Sequence, residues 1–210
     1  MEIKKEYIFF FFIIIFIYII FFKKYETFNN SNPLIVILPL RNREKNLKQY
    51  LDNMIPIFEY QNIDYKIFII EQTEGKKFNK AKINNIGFKE ANKLYPKIDK
   101  FLFNDIDNFP LKKNIINFTD KPKGVNHYFG NRKWLGGFFM INKNDFEKIN
   151  GYSNNFWGWG GEDNDIKHRL DAKGIQINRD VFFERHKTKL IYDDNEHWEK
   201  RDKNKENLKI

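Results

Sequence analysis

The densest chemistry in the sequence lies in Asn155-Phe156-Trp157-Gly158-Trp159-Gly160-Gly161-Glu162-Asp163-Asn164-Asp165, which packs two Trp, three Gly and three acids together. Glycine permits positive φ and lets backbone approach a ligand closely. Indole faces stack on the CH faces of sugar rings and carboxylates bind hydroxyls, so the string suits a carbohydrate. One of its acids could accept a hydroxyl proton as general base. The plainer reading is structural, since acids at a helix start complement the helix dipole. Ile166 and Leu170, four apart, predict such a helix starting near Asp163 or Asn164. Core packing accounts for one Trp but not for the whole string.

A second candidate is Asp105-Ile106-Asp107, between FLF and NFP. Carboxylates at i and i+2 share a face of an extended chain and repel unless a cation compensates them. A hard divalent ion that also takes diphosphate oxygens would do so. Such a pair is also an ordinary turn sequence after a strand. The third candidate is Pro39-Leu40-Arg41-Asn42-Arg43, whose guanidinium groups suit phosphates.

These residues need a scaffold that brings them together, and the apolar pattern supplies one. Leu34–Leu38, closed by Pro39, is a continuous apolar run of the kind found in buried parallel strands. Leu47, Leu51, Met54 and Ile55 then mark an amphipathic helix that should end before Pro56. Tyr65–Glu71 predicts a second strand, and Ala81, Ile83, Ile86, Ala91 and Leu94 a second helix. Lys100–Phe103 predicts a third strand running into the acid pair. The order β-α-β-α-β implies an open α/β sheet, in which ligands bind beyond the carboxyl ends of the strands. Arginine and carboxylate motifs therefore meet at one edge, where a nucleotide could be held through its phosphates.

The 210-residue chain carries 37 basic and 28 acidic side chains, a net charge of +9, with 41% hydrophobic residues. That apolar content excludes a disordered chain. The absence of Cys excludes disulfides, thiol catalysis, iron–sulfur clusters and Cys-ligated zinc. The charge is spread along the chain, with no basic cluster interleaved with aromatics, so a nucleic-acid partner is not expected.

Residues 8–22, IFFFFIIIFIYIIFF, form a separate object, flanked by Lys4, Lys5, Lys23 and Lys24. As a helix the run would be about 22 Å long, short of a ~30 Å hydrocarbon core but near the thinner ~27 Å bilayer of the ER. An uncleaved transmembrane anchor is expected. Two readings compete: a cleaved signal peptide, which wants a small-residue cleavage site that KKYETFNNSN does not offer, and a buried core helix, which needs a polar face that the run lacks. The domain plan is thus an anchor at 1–24, a short stem at 25–33, a catalytic domain at 34–187 and a charged C-terminal segment at 188–210, a possible lid.

The Trp–Gly–acid string resembles the WGWGGEDDD motif of the β-1,4-galactosyltransferase family, with Asn164 in place of the middle Asp. The likeness continues in order. PLRNR at 39–43 resembles the family's PFRNR. Phe78-Asn79-Lys80-Ala81-Lys82, followed by Asn85-Ile86-Gly87-Phe88, resembles FNRAK…NVGF. FNDIDNFP at 103–110 resembles FHDVDLIP, and Leu135-Gly136-Gly137 and Ile149-Asn150-Gly151-Tyr152 match FGG and INGF. The resemblance covers about residues 34–187.

It implies a GT-A type α/β domain that transfers galactose from UDP-galactose, with inversion, to a hydroxyl of a GlcNAc- or glucose-type acceptor on a glycan or glycolipid. By the same likeness Asp163 is the base and Glu162 helps hold the acceptor, with Trp159 and Gly160 on the loop that covers the donor. Pro39, Arg41, Arg43, Phe78, Lys80 and Asp105 line the donor pocket, Lys80 replacing an Arg. Mn²⁺ is the implied cofactor, held by Asp107, by His186 in Asp180–His186 (DVFFERH) and by Glu184, which would share a face with His186 on an extended chain. Phe183 stands where relatives have a metal-binding Met. Trp134 falls where galactose-using relatives have Tyr, which favours UDP-galactose over an N-acetylated donor and leaves glucose open. The resemblance also implies a type II membrane protein facing the Golgi or ER lumen, where Asn29 and Asn117 stand in N-x-S/T sequons. A non-catalytic sugar-nucleotide or glycan binder is the alternative reading.

Overall fold

The computed structural model describes residues 33–194. The apolar run at 8–22 and the stem through Asn32 lie outside the described residues. Among those described, no helix is long and apolar enough to cross a membrane.

The described residues form nine strands and four helices, in the order β1 (Leu34–Leu40), α1 (Glu44–Tyr60), β2 (Tyr65–Glu71), α2 (Lys80–Leu94), β3 (Lys100–Asn104), β4 (Asn108–Pro110), β5 (Val125–Gly130), β6 (Phe138–Asn142), α3 (Lys143–Lys148), α4 (Glu162–Ala172), β7 (Ile177–Asn178), β8 (Phe183–Glu184) and β9 (Ile191–Asp193). The main sheet has the order β2-β1-β3-β6-β5-β7, with β8 also on β5. β1 pairs in parallel with β2 and β3, whereas β6 runs antiparallel to both β3 and β5. The expected open α/β sheet is present, and its second half is mixed. The register of β3 on β6, Phe103 opposite Phe139 and Asn104 opposite Phe138, brings the chain entering β6 beside the chain leaving β3.

Two apolar clusters lie on the two faces of this sheet. Val36, Leu38, Leu102 and Met140 face Met54, Ile57 and Phe58 of α1 on one side. Ile35, Ile37, Phe101, Phe103 and Ile141 meet Ala81 and Ala91 of α2 and Ile166 and Leu170 of α4 on the other. Alternate residues of β1 thus serve opposite faces, which is why its run reads as continuously apolar. At Gly87 a Cβ would come within 2.6 Å of Ile37, so α2 reaches the sheet only because that position is Gly.

Two boundaries differ from the sequence expectation, and both involve proline. β1 continues through Pro39 to Leu40. Leu34 N–H donates to Asp64 and Leu40 O accepts from Gln72, so even-numbered residues face β2 and Pro39 faces β3. The β1–β3 ladder ends at Ile37 and Phe103, so the missing N–H of Pro39 costs no ladder bond. Likewise α1 runs through Pro56 to Tyr60. A proline inside a helix costs about 3 kcal/mol. Ile57 and Phe58 just beyond it are buried in the core, and each buried side chain of that size returns about 1.5–3 kcal/mol.

The segment after 187 also enters the fold. β9 pairs antiparallel with β4, Ile191 is buried, and Tyr192 stacks on Phe109 at 4.6 Å. Residues from Asn195 onward lie outside the described residues.

Candidate active site

A cleft of about 790 Å³ opens beyond the carboxyl ends of β1 and β3. Its walls include Pro39, Arg41, Arg43, Phe78, Lys80, Asp105, Asp107, Trp134, Trp159, Gly160, Glu162, Asp163, Glu184 and His186. Every residue singled out from the sequence as a donor, acceptor, metal or catalytic candidate therefore faces one cavity, although they span nearly 150 positions of chain.

The floor is built by α2, α4 and the end of β3. Asn79 caps α2, its side chain accepting from Lys82 N–H at 2.8 Å, and Phe78 O accepts from Gly158 N–H at 2.7 Å. The FNKAK segment thus pins the Trp–Gly loop and starts a helix whose first residue is Lys80. Gly158, Gly160 and Gly161 all have positive φ, as the glycine-rich string implied, and α4 begins at Glu162, one residue before the expected start. Lys80 Nζ then lies 2.9 Å from Asp163 Oδ1, 3.2 Å from Glu162 Oε1 and 3.4 Å from Asp105 Oδ1.

This crowding decides ionisation. Burial pushes the Asp163 carboxyl up and Lys80 pulls it down, while Glu162 and Asp105 push it up further, to about 7. Burial alone would lower the Lys80 ammonium, but Asp105, Asp163 and Glu162 outweigh it and hold it well above the usual lysine range. The Asp163 side chain keeps 27% of its exposure, directed to the cleft. It is a base poised near neutrality with access to a ligand. Glu162 is buried, and among the described residues its Oε2 has no hydrogen-bond partner, so an unsatisfied acceptor lies in the floor beside Asp163.

The acid pair at the end of β3 does not share one face. Asn108 N–H donates to Asp105 O at 3.0 Å, closing a tight turn over 105–108. The two carboxylates therefore diverge, and each has its own cation from the protein. Asp105 meets Lys80, whereas Asp107 accepts from Arg43 at 2.9 Å. Arg43 also reaches Asp194 at 3.5 Å, and Asn46 donates to the same carboxylate at 2.9 Å. Arg41 donates to Lys76 O at 2.8 Å and its guanidinium lies 5.0 Å from the Phe78 ring.

Glu184 and His186 likewise depart from the extended geometry expected of them. β8 ends at Glu184, and His186 sits in the left-handed region at φ 65°, so the two do not share a strand face. Glu184 pairs with Lys187 at 3.1 Å. Among the described residues no three His, Asp or Glu side chains converge into a metal cage. Two carboxylates and an imidazole on one wall are nevertheless the donor chemistry a divalent transition ion takes.

Several contributors were not singled out from the sequence. Gly136 leaves room for the Asp163 carboxyl, because a Cβ there would lie 2.0 Å from Oδ2 and displace it. His127, for which the sequence supports no role, is buried behind it. Burial lowers its imidazole to about 3, so the ring is neutral. Its Nδ1 accepts from Arg179 Nε at 3.0 Å, which leaves Nε2–H to donate to Phe129 O and Gly136 O at 3.0 and 2.9 Å. His127 thus ties the Gly136 strap down against Asp163. Arg185, between the two expected ligands, pairs with Asp193 at 3.1 Å and donates to Asn108 at 3.0 Å. The LGG motif was the only sequence signal for any of these.

With this arrangement in view, comparison with known proteins is decisive for the family. The family model described as the N-terminal region of glycosyl transferase group 7 matches residues 22–118, and that described as the N-terminal domain of galactosyltransferase matches 120–194. Beta-1,4-galactosyltransferase 4 of Cricetulus griseus is 40% identical over 152 residues, covering 69% of this chain and 44% of that protein. The chain belongs to the β-1,4-galactosyltransferase family. Beta-1,4-galactosyltransferase 1 of Mus musculus is also 40% identical over 152 residues, 69% of this chain and 38% of that relative. The chain therefore spans less than half the length of these family members. In fold it is similar to the catalytic domain of Drosophila beta1,4galactosyltransferase 7 complexed with xylobiose, with a TM-score of 0.72 at 23% identity over 86% of this chain and 79% of that one. A mutant of the same enzyme in complex with manganese, UDP-Gal and xylobiose gives a TM-score of 0.70 at 23% identity, over 83% and 76%.

Proposed function

We propose that this protein transfers galactose from UDP-galactose to a hydroxyl of a GlcNAc- or glucose-type acceptor, with inversion at the sugar anomeric carbon. The observation that carries this reading is Asp163, a carboxylate poised near neutrality at the floor of a cleft large enough for a nucleotide sugar. Ionised Asp163 takes the acceptor hydroxyl proton as that oxygen attacks the anomeric carbon, and UDP departs from the opposite face. Glu162, on the wall of the cleft, accepts a second acceptor hydroxyl. Trp159, on the wall beside Gly160, offers a flat face to a sugar ring. Pro39, Arg41 and Phe78 form the nucleotide end of the cleft, and Trp134 crowds the position an N-acetyl group would occupy. Asp107, Glu184 and His186 would hold Mn²⁺, which supplies positive charge to the leaving diphosphate when bound.

Support for galactose also comes from the identity to β-1,4-galactosyltransferases and from the relative that binds manganese, UDP-Gal and xylobiose. The test is UDP release from UDP-galactose, UDP-glucose and UDP-N-acetylgalactosamine, with and without Mn²⁺, against GlcNAc, glucose and xylose. Mn²⁺-dependent release that requires UDP-galactose and one acceptor is the expected result. Saturable nucleotide-sugar binding without turnover on any acceptor would favour a non-catalytic glycan-binding role instead. The run at 8–22 is further proposed to anchor the chain as a type II membrane protein facing the Golgi or ER lumen. Fractionation of the full chain beside the chain from residue 25 tests this, and a full chain found entirely in the soluble fraction overturns it.

A further inference from the structure

A lysine has three N–H donors and no acceptor. At Lys80 those three donors face three carboxylates, on Asp163, Glu162 and Asp105, at 2.9, 3.2 and 3.4 Å. Only the Asp163 contact is a hydrogen bond, the other two being ion pairs, so the ammonium is directed chiefly at carboxylates. The position is also unfavourable locally. Lys80 is the first residue of α2, whose first turn holds no acid, and a cation at a helix N-terminus opposes the helix dipole. What holds a lysine there is tertiary, namely the carboxylates brought to it by β3 and α4.

We propose that Lys80 is the positioning residue of the proposed transfer, keeping the Asp163 carboxylate ionised and its Oδ1 fixed at the floor of the cleft. This deepens the galactosyl-transfer reading and rests on it for the identity of the base. The groups facing Asp163 are Lys80 from α2, Glu162 from its own helix, Asp105 from the end of β3, and the buried Tyr152 phenol. Of these only Lys80 is cationic. Without it, Asp163 would share its buried site with two like charges and no counter-charge, and would bind a proton through the neutral range. Oδ2 is confined from the other side by Gly136, whose absent Cβ would stand 2.0 Å away. Lys80 and Gly136 thus clamp one carboxyl group between a charge and a backbone.

The test is the pH dependence of kcat/KM with UDP-galactose and GlcNAc in Mn²⁺ for the wild type, Lys80→Met and Lys80→Arg. A wild-type acid limb centred near 7 should move upward by about one unit or more in Lys80→Met. Lys80→Arg should keep the limb near its wild-type place. If Lys80→Met instead raises the UDP-galactose KM equally at every pH and leaves the limb unmoved, Lys80 is a donor ligand and the proposal falls. A ¹³C-carboxylate titration of Asp-labelled protein, with Asp163 assigned by its loss in Asp163→Asn, reads the same clamp without turnover. An Asp163 signal that titrates identically in wild type and Lys80→Met overturns the proposal even if no acceptor is turned over. A moved signal with no transfer to GlcNAc, glucose or xylose would leave the clamp standing and sink the galactosyl-transfer reading. Should Lys80→Met not fold, a Lys80→Arg limb displaced as far as a lost charge predicts would overturn it as well.

Discussion

The floor and the rim of the cleft solve the same electrostatic problem in opposite ways. At the floor one ammonium faces three carboxylates, so negative charge is in excess and proton affinity rises on Asp163. At the rim the acids are paired nearly one to one, Asp107 and Asp194 with Arg43, Asp193 with Arg185, and Glu184 with Lys187. Excess charge in a buried cluster makes a base. Paired charge makes a rigid wall whose carboxylates a metal must win from an arginine or a lysine. A floor of this kind is preorganised for proton transfer, whereas a rim of this kind is one that a cation would rearrange.

The largest effect should come from breaking the floor directly. Asp163→Asn removes the base while keeping the shape, and kcat should fall by ~10²–10⁴-fold with UDP-galactose binding retained. Transfer at the wild-type rate would move the base elsewhere. Gly136→Ala leaves every charge in place but drives a Cβ into Asp163 Oδ2, so kcat should drop by ~10²-fold, because a shift of about 1 Å at a catalytic group costs that much. Unchanged kinetics there would show that the carboxyl has room to move.

At the rim, Asp107→Asn should raise the Mn²⁺ concentration for half-maximal transfer by ~10-fold or more, as the loss of an ordered metal contact typically does. An unaltered Mn²⁺ titration would remove Asp107 from the ligand set. The smallest effect is expected at Trp134, on the outer wall and 38% exposed. Trp134→Leu should shift the ratio of UDP-N-acetylgalactosamine to UDP-galactose use by ~10-fold, within the range one hydrophobic pocket contact commands. A constant ratio would discard Trp134 as the donor gate. By the same logic as the floor, acidification should cost activity first through Asp163. Its carboxyl is raised to about 7, so rates should decline as pH falls through that value.

Different parts of the site were legible in the sequence for different reasons. The Trp–Gly–acid string was readable as a local device because its glycines permit positive φ. FNKAK was read through the family resemblance, and its asparagine cap is visible only in the structure. Proline boundaries were misread for a converse reason. Local propensity stops a strand at Pro39 and a helix at Pro56, but a one-sided ladder and the burial of Ile57 and Phe58 override it. For the acid pair the sequence left two readings open, a shared cation site and a turn after the strand, and the turn at 105–108 with its separate partners favours the second. His127 and Tyr152 were invisible as participants, since a buried neutral imidazole and a buried phenol carry no local signature.

What the sequence determined by itself was therefore the parts and their order: the apolar runs that must be strands, the amphipathic helices between them, and every residue that lines the cleft among the candidates named. Tertiary structure alone decided which charge meets which. Lys80 and Asp163 are 83 positions apart, and Arg43 and Asp107 are 64 apart. Side-chain type and periodicity are properties of neighbours along the chain. The ionisation of a carboxylate depends on burial and on charges a few ångströms away in space, and only the β3–β6 register and the approach of α2 to α4 fix those.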